Sequence, residues 1–185
     1  YAYRDLGNRV GVWRIKKLFD EFDLPLAILA NSAVYDAYPR VLEAFRERGD
    51  EFVGHSRTNS ERQIDMSEDQ EREMIREVAA NKKAVEGKQP GGWLGPFISQ
   101  SPRTPELLKE NGFSYMLDWW SDEQPVWFRT DNGPILAQGT VPVLRRGFKD
   151  VDARFQLCAF KPAHGKNPKL QDLYKKNRLT VVRQL

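Results

Sequence analysis

The two histidines of this sequence, His55 and His164, are the side chains best suited to proton transfer near neutral pH. His55 directly follows the apolar segment Phe52-Val53-Gly54, which reads as a buried strand. A histidine at a strand exit can act as a general acid or base, can bind a metal, or can simply bond a neighbouring backbone group. His164 lies in a segment rich in Pro and Gly (residues 162–168), which is typical of a turn, so we expect it to be peripheral to any chemistry.

Polar residues that could assist His55 occur at three places. Asn59 lies four residues after it, where an amide could orient a substrate or cap a helix. Asp118 and Asp122 follow a predicted strand, and Asp5 lies near the start of the sequence. Carboxylates around one histidine suit hydrolysis, either through a metal-activated water or by general-base catalysis. Each aspartate taken alone is more often a cap or a solvated surface group.

The elements that must position these residues follow from the apolar pattern of the first 140 residues. We predict strands at residues 26–30, 51–54, 91–94, 114–117, 126–128 and 134–137. We predict helices at about 9–22, 39–48, 67–85 and 104–111, the third of them opened by a capping box at residues 67–70. Strands alternating with helices are typical of parallel βαβ units, so the sequence predicts an α/β fold. Polar groups at the strand exits then share one edge of the sheet.

Composition limits the class of protein. The chain has 185 residues, of which 30% are charged and 40% are hydrophobic, as in a globular domain. Its single cysteine, Cys158, excludes an internal disulfide framework and a Cys-based zinc site. No apolar run approaches the ~18 residues that would predict a membrane span. The sequence also lacks a phosphate-binding loop, a dinucleotide glycine fingerprint, a Gly-x-Ser-x-Gly elbow and a His-Glu-x-x-His motif.

Charge is spread unevenly along the chain. Residues 141–185 hold 11 Lys/Arg against 3 Asp/Glu, whereas the first 140 residues hold 18 against 23. We therefore divide the chain into an α/β domain (1–140) and a basic C-terminal segment of one strand and a tail (141–185). No aromatic residues interleave with these charges in a nucleic-acid-binding pattern, so nucleic acid is not an expected partner. The sequence begins with Tyr1 and shows no signal-peptide pattern, and we expect a cytoplasmic fragment or processed form.

Five stretches carry a resemblance to a known family: residues 3–11, 30–33, 54–61, 92–96 and 117–122. In this order they resemble the polysaccharide deacetylase family, whose fold is the distorted (β/α) barrel called the NodB homology domain. The likeness is closest to the subgroup similar to cofactor-independent allantoinases and chitin-type deacetylases, and it covers roughly residues 1–138. The final 45 residues do not resemble the family, so we expect the barrel to be incomplete at its C-terminus.

The resemblance implies hydrolysis of a carbon–nitrogen bond other than a peptide bond, typically N-deacetylation of an amino-sugar polymer. Two alternatives stay open: a metal-independent, allantoinase-like hydrolase of ureides or cyclic amides, and a degenerate homologue that binds carbohydrate without turnover. We interpret His55, Asp5 and Asp122 as catalytic. The residues interpreted as substrate-binding are Arg4, Asn31, Asn59, Trp93, Pro96, Asp118, Trp119 and Trp120. The expected partners are a carbohydrate or small amide and a second copy of the chain.

The metal ligands of the family are only partly present. Metal-dependent members use an Asp-Asp pair on the first strand and a His-x-x-x-His pair further on. Here the first site reads Tyr3-Arg4-Asp5 and the second reads His55-x-x-x-Asn59. Zinc or another divalent metal would thus have His55 and Asp5 as its ligands. Since a zinc site needs at least three protein ligands, we expect no tightly bound metal.

Overall fold

A computed structural model describes residues 5–119 and 125–138 of the chain. These residues fall into two compact units, one ending at Pro25 and one beginning at Leu26, and each is described by itself. The predictions for Arg4, Trp120, Asp122, Cys158, His164 and the basic segment 141–185 lie outside the described residues.

The first unit contains one helical segment. It starts at Asp5, passes through a π-helical stretch at Gly7–Gly11 and continues as helix α1 (Val12–Phe22). Ion pairs four residues apart stabilise it, with Asp5 and Arg9 at 3.4 Å and Lys16 and Asp20 at 2.9 Å. The chain leaves the helix through Asp23, whose φ of 52° is left-handed. The predicted helix at 9–22 is confirmed.

The second unit alternates strands and helices, as predicted. Its elements are β1 (Ala27–Ala30), α2 (Val34–Ala37), α3 (Pro39–Glu47), β2 (Glu51–Gly54), α4 (Glu68–Glu86), β3 (Gly92–Trp93), α5 (Thr104–Glu110), β4 (Tyr115–Met116), β5 (Val126–Phe128) and β6 (Ile135–Ala137). The short helix α2 was not predicted. Strands β3 and β4 are two residues shorter than predicted, because only Gly92–Tyr115 and Trp93–Met116 pair across them.

The six strands form one sheet in the order β1-β2-β3-β4-β6-β5. All neighbours pair parallel except β5, which is antiparallel to β6. Parallel pairing requires crossover connections, and α3, α4 and α5 provide them between β1 and β4. The α/β prediction is confirmed for these residues. No helix among the described residues is long and apolar enough to cross a membrane.

Helix α4 supplies one wall of the core. The Ser67 hydroxyl accepts from the Gln70 N–H at 3.3 Å, and the Gln70 side chain accepts from the Ser67 N–H at 2.9 Å, which is the predicted capping box. Its apolar stripe of Met74, Ile75 and Val78 is fully buried. It shares a core cluster with residues of the sheet, of α5 and of the connection that follows α5: Trp93, Leu107, Leu108, Phe113, Met116. This packing fixes where the strands lie against α4, and so fixes the positions of the loops that follow the strands.

Candidate functional site

His55 follows β2 at the carboxyl end of the sheet, as its sequence position predicts. Its Nδ1 forms a hydrogen bond with the main-chain carbonyl of Leu94, which follows the neighbouring strand β3. Because a carbonyl can only accept, Nδ1 carries the hydrogen and the lone pair of the neutral ring lies on Nε2. The main-chain carbonyl of His55 in turn accepts from the side-chain amide of Asn31, which follows β1. Three consecutive strand exits therefore hold one histidine.

The surroundings of His55 favour its neutral form. Burial lowers the pKa of the imidazole below its usual value, and the positive charge of Lys82 lowers it further. The bonds to Leu94 and to the side chain of Asn59 oppose this pKa shift without cancelling it. At pH 7 His55 is thus neutral and able to take up a proton.

Asp118 follows β4 at the same end of the sheet and is only 1% exposed. Its Oδ1 accepts from the main-chain N–H of Gly95 at 2.7 Å. Its Oδ2 is buried without a hydrogen-bond partner among the described residues. Burial raises the pKa of Asp118 to about 7, against the opposing effect of the Gly95 N–H, and the charge of Glu71 adds to the rise. Such a carboxyl group exchanges its proton near neutral pH.

A buried polar cluster adjoins Asp118 and Gly95, and we call it the Glu71 cluster. The Glu71 carboxylate accepts from the side chains of Gln63 (2.7 Å), Ser101 (2.6 Å) and Thr104. The Gln63 carbonyl oxygen accepts from Trp93 Nε1 at 3.2 Å. These bonds compensate the buried charge of Glu71 and fix Gln63 in one orientation.

Gly95 has no room for a side chain. A Cβ at this position would lie 2.0 Å from Gln63 Oε1 and 2.9 Å from Asp118 Oδ1. The absence of a side chain lets the Leu94–Gly95 backbone pass between the Glu71 cluster and Asp118.

The backbone at this edge is strained at three residues other than glycine. Ser56, Phe97 and Ile98 have φ values of 52°, 60° and 52°. The left-handed region disfavours a β-branched residue such as Ile98 in particular. Phe97 is 70% exposed, whereas its neighbour Pro96 is buried. Strain of this kind persists where the surrounding fold enforces it, and it is common at functional sites.

The structure brings together His55, Asn31 and Asn59 by direct contact, and Asp118 joins them through the Leu94–Gly95 backbone. Trp119 is half-buried and packs on Phe128 with ring centroids 5.5 Å apart. Pro96 is buried, and its carbonyl accepts from the Ser99 hydroxyl at 2.7 Å.

Three predictions need correction. Asp118 was predicted to bind substrate, but it is only 1% exposed and accepts from the Gly95 N–H. Trp93 was predicted to bind substrate, but it is 0% exposed and packs edge-on against Phe113, because it points into the core face of β3. Asp5, which the resemblance matches to a first-strand site, instead begins a helix, where its carboxylate pairs with Arg9.

Sequence reasoning missed Glu71, Gln63 and Lys82. Glu71 and Lys82 lie on the buried stripe of α4, since residues 71, 75, 78 and 82 follow the spacing of one helix face. A charged residue at a core position of an amphipathic helix is the signal that could have revealed them.

The described residues do not fit the metal site of the metal-dependent members. Within residues 5–119 and 125–138, no group of three or more His, Cys, Asp or Glu side chains is placed to hold an ion. Asn59 stands where the second histidine would be, and an amide is a poor zinc ligand compared with imidazole. A three-ligand zinc set therefore cannot be assembled from this part of the chain.

Comparisons with known proteins agree with this fold. The chain is 28% identical over 108 residues to a peptidoglycan deacetylase of Helicobacter pylori, covering 58% of this chain and 36% of that protein. The solved structure of Puue allantoinase is 33% identical with a TM-score of 0.66, covering 74% of this chain and 45% of that one. A probable polysaccharide deacetylase from Pseudomonas aeruginosa PAO1 is 31% identical with a TM-score of 0.66, covering 74% and 46%.

The chain thus spans less than half the length of these relatives. No protein-family model matches the sequence. The structural likeness confirms the predicted fold, that of the NodB-type (β/α) barrel.

Proposed function

We propose that this chain, whose relatives support a polysaccharide deacetylase family, hydrolyses the N-acetyl group of an amino sugar. The observation that carries the proposal is the environment of His55. Its ring is fixed on the Leu94 carbonyl at the carboxyl edge of a parallel sheet, and its pKa is lowered so that it is neutral at pH 7. A fixed, neutral imidazole is what general-base activation of water requires.

The reaction is the attack of water on an amide carbonyl. Nε2 of His55 takes a proton from the water while the water oxygen bonds to the carbonyl carbon. The resulting imidazolium, stabilised by the Leu94 carbonyl at Nδ1, then gives the proton to the amide nitrogen, and the carbon–nitrogen bond breaks. The products are acetic acid, which gives up its proton to become acetate, and an amine, which can take that proton up. Asn59 is exposed and lies beside the His55 ring, where a bound substrate and water would replace its contact with the ring and its amide could orient the substrate.

A second candidate reaction is the hydrolysis of a ureide or cyclic amide. It is favoured by the 33% identity to an allantoinase and by the replacement of a His-x-x-x-His pair by His55 and Asn59. Both reactions begin with water attacking a carbonyl next to nitrogen, so the role of His55 is the same in both. We also propose that His55 works without a tightly bound metal, because Asn59 replaces an imidazole ligand.

The test is an acetate-release assay on N-acetylglucosamine oligomers, run beside a ring-opening assay on allantoin. We expect His55→Ala to lower kcat at least ~100-fold, the usual contribution of a general base. His164→Ala, which removes the other histidine, is the matched control and should stay within a few-fold of the parent.

Equal losses from the two substitutions would contradict the role of His55. Allantoin opening without acetate release would favour the second reaction. Binding of the oligomers without any turnover would identify a degenerate, carbohydrate-binding homologue. Elemental analysis of the same preparation checks the metal proposal, and one zinc per chain that resists dialysis would overturn it.

A further inference from the structure

One peptide group joins the two titratable side chains at the candidate site. The carbonyl of Leu94 and the N–H of Gly95 belong to the same planar peptide unit. His55 Nδ1 bonds the carbonyl end, and Asp118 Oδ1 accepts from the N–H end at 2.7 Å. The order of groups is therefore imidazole, peptide, carboxyl, with a hydrogen bond at each junction.

We propose that Asp118 is a positioning residue that acts on His55 through the Leu94–Gly95 peptide. A carboxyl oxygen on the N–H side of a peptide polarises the unit and makes its carbonyl a stronger acceptor. A stronger acceptor holds the hydrogen of His55 on Nδ1, which keeps the lone pair on Nε2 and the ring in one orientation. The inference rests on the proposed function only in taking His55 as the base.

The peptide unit that precedes the bridge, Trp93–Leu94, is hydrogen-bonded at both of its ends. The Leu94 N–H donates to the Gly54 carbonyl at 2.9 Å, which ties the bridge to the residue preceding His55. The Leu117 N–H donates to the Trp93 carbonyl at 2.8 Å, which ties it to the residue preceding Asp118. Gln63 Oε1 lies against Gly95 from the side of the Glu71 cluster. Because Leu94 is anchored on one side of the bridge and Gly95 lies against Gln63 on the other, we expect a change at Asp118 to reach the carbonyl that holds His55.

A purely structural role would not need an acid at this position. Asp118 is 1% exposed and its Oδ2 has no hydrogen-bond partner among the described residues, so the fold bears an uncompensated carboxyl group there. Among those residues, the hydrogen bond it makes is to the Gly95 N–H. An apolar side chain would fill the same space without this desolvation penalty, which indicates that the bond to the bridge is what the acid provides.

The test follows the tautomer of His55 by ¹⁵N NMR of the imidazole in the full chain, with His164→Ala as background so that a single histidine is observed. We expect the Nδ1–H tautomer in the parent and a mixture of tautomers in Asp118→Leu. In acetate release, Asp118→Leu should lower kcat about 10- to 100-fold, the usual effect of a residue that orients a functional histidine. KM should stay within about twofold, because Asp118 is only 1% exposed and so offers no surface to a substrate.

Asp50→Asn is the matched control. Asp50 is also a buried aspartate that accepts from a main-chain N–H, that of Leu26 at 3.0 Å, but it precedes β2 at the opposite end of the sheet. Asp50→Asn should leave the tautomer of His55 and the kcat for acetate release unchanged.

If Asp118→Leu does not fold, Asp118→Asn replaces it in the test. The amide keeps an acceptor for the Gly95 N–H but loses the charge, so Asp118→Asn should show a smaller tautomer change and a smaller fall in kcat.

A folded Asp118 variant with an unchanged Nδ1–H tautomer would overturn the inference, as would an equal tautomer change in Asp50→Asn. Because the NMR measurement needs no turnover, it decides the inference even if the parent chain releases no acetate. Absence of acetate release together with the expected tautomer change would instead count against the proposed function alone.

Discussion

Asp118 at the carboxyl end of the sheet and Lys82 near its amino end are both only 1% exposed, yet their surroundings differ. Asp118 bonds a main-chain N–H that leads directly to His55. Lys82 Nζ has no hydrogen-bond partner among the described residues and lies over the rings of Tyr35 and Phe52, at 5.2 and 6.0 Å from their centroids. Burial lowers the pKa of this lysine to about 8.

The difference separates a buried group that is hydrogen-bonded to the backbone from one that acts on its neighbours only through its charge. Lys82 borders a cavity of about 330 Å³ beside Glu51, Glu86 and Lys88. Glu86 is already held by Arg46 through two bonds of 2.8 and 2.9 Å, so its contribution to Lys82 is limited to charge at a distance. A buried group bonded to the backbone can hold a neighbour in one geometry, whereas Lys82 reaches His55 only through its charge and is expected mainly to destabilise the fold.

The largest effect should come from Gly95→Ala, which displaces the Leu94–Gly95 peptide at the carboxyl end of the sheet. The new Cβ would collide with Gln63 Oε1 and Asp118 Oδ1, both of which are fixed by other bonds. We expect a loss of about 3 kcal/mol in the free energy of unfolding, as for overpacked cores, together with loss of activity. Chemical denaturation and the acetate-release assay measure the two effects.

Gly91→Ala is the control for Gly95→Ala at the amino end of the same strand. Its Cβ would meet the flexible Glu51 side chain at 3.3 Å and Tyr115 at 3.6 Å, and we expect a change below about 1 kcal/mol. A loss of unfolding free energy in Gly91→Ala as large as in Gly95→Ala would show that the two ends of the sheet are packed equally closely.

The second prediction concerns Lys82, whose Nζ has no hydrogen-bond partner among the described residues. The folded-state pKa of Lys82 is about 8, below the ordinary value of 10.5, so folding penalises its charged form. This penalty is complete below pH 8 and fades as the pH rises to 10.5. Lys82→Met should therefore raise the free energy of unfolding by on the order of 2 kcal/mol at pH 7, and this gain should shrink across that pH window.

Lys88→Met is the control for Lys82→Met, because Lys88 borders the same cavity but is exposed. It should change stability by less than about 0.5 kcal/mol at any pH. Destabilisation by Lys82→Met would mean that Lys82 has a favourable partner near the amino end of the sheet, and a gain that does not vary with pH would mean that folding does not lower the pKa of Lys82.

The fold was predictable because its signals are local. Alternating apolar segments located the strands, and the residues after them, Asn31, His55 and Asp118, followed from the rule that parallel strands end at one edge. Trp93 was misjudged because residue type suggested a binding surface, while the face of the strand put the ring in the core.

The bridge between His55 and Asp118 could not be predicted. It consists of main-chain atoms of Leu94 and Gly95, and its geometry depends on three strands meeting in register. Glu71 and Lys82 left a weaker signal, since each interrupts the buried stripe of α4 that Ile75 and Val78 define. From the sequence alone, that interruption does not say whether the charge will be compensated, as it is for Glu71, or not, as for Lys82.

The smallest expected effect compares one hydrogen bond at each end of the sheet. Asn31→Ala removes the side-chain bond to the His55 carbonyl, and Tyr115→Phe removes the 2.8 Å bond to Glu51 Oε1. Each should lower the free energy of unfolding by about 1 kcal/mol, the usual net contribution of one such bond. Their effects on turnover should differ, because Asn31 fixes the loop that carries the base, whereas Glu51 begins β2 at the far end. We therefore expect kcat for acetate release to fall several-fold in Asn31→Ala and to stay unchanged in Tyr115→Phe. Equal turnover in two variants of equal stability would show that the His55 loop holds its geometry without Asn31, and that the bridge from Leu94 is sufficient to position the base.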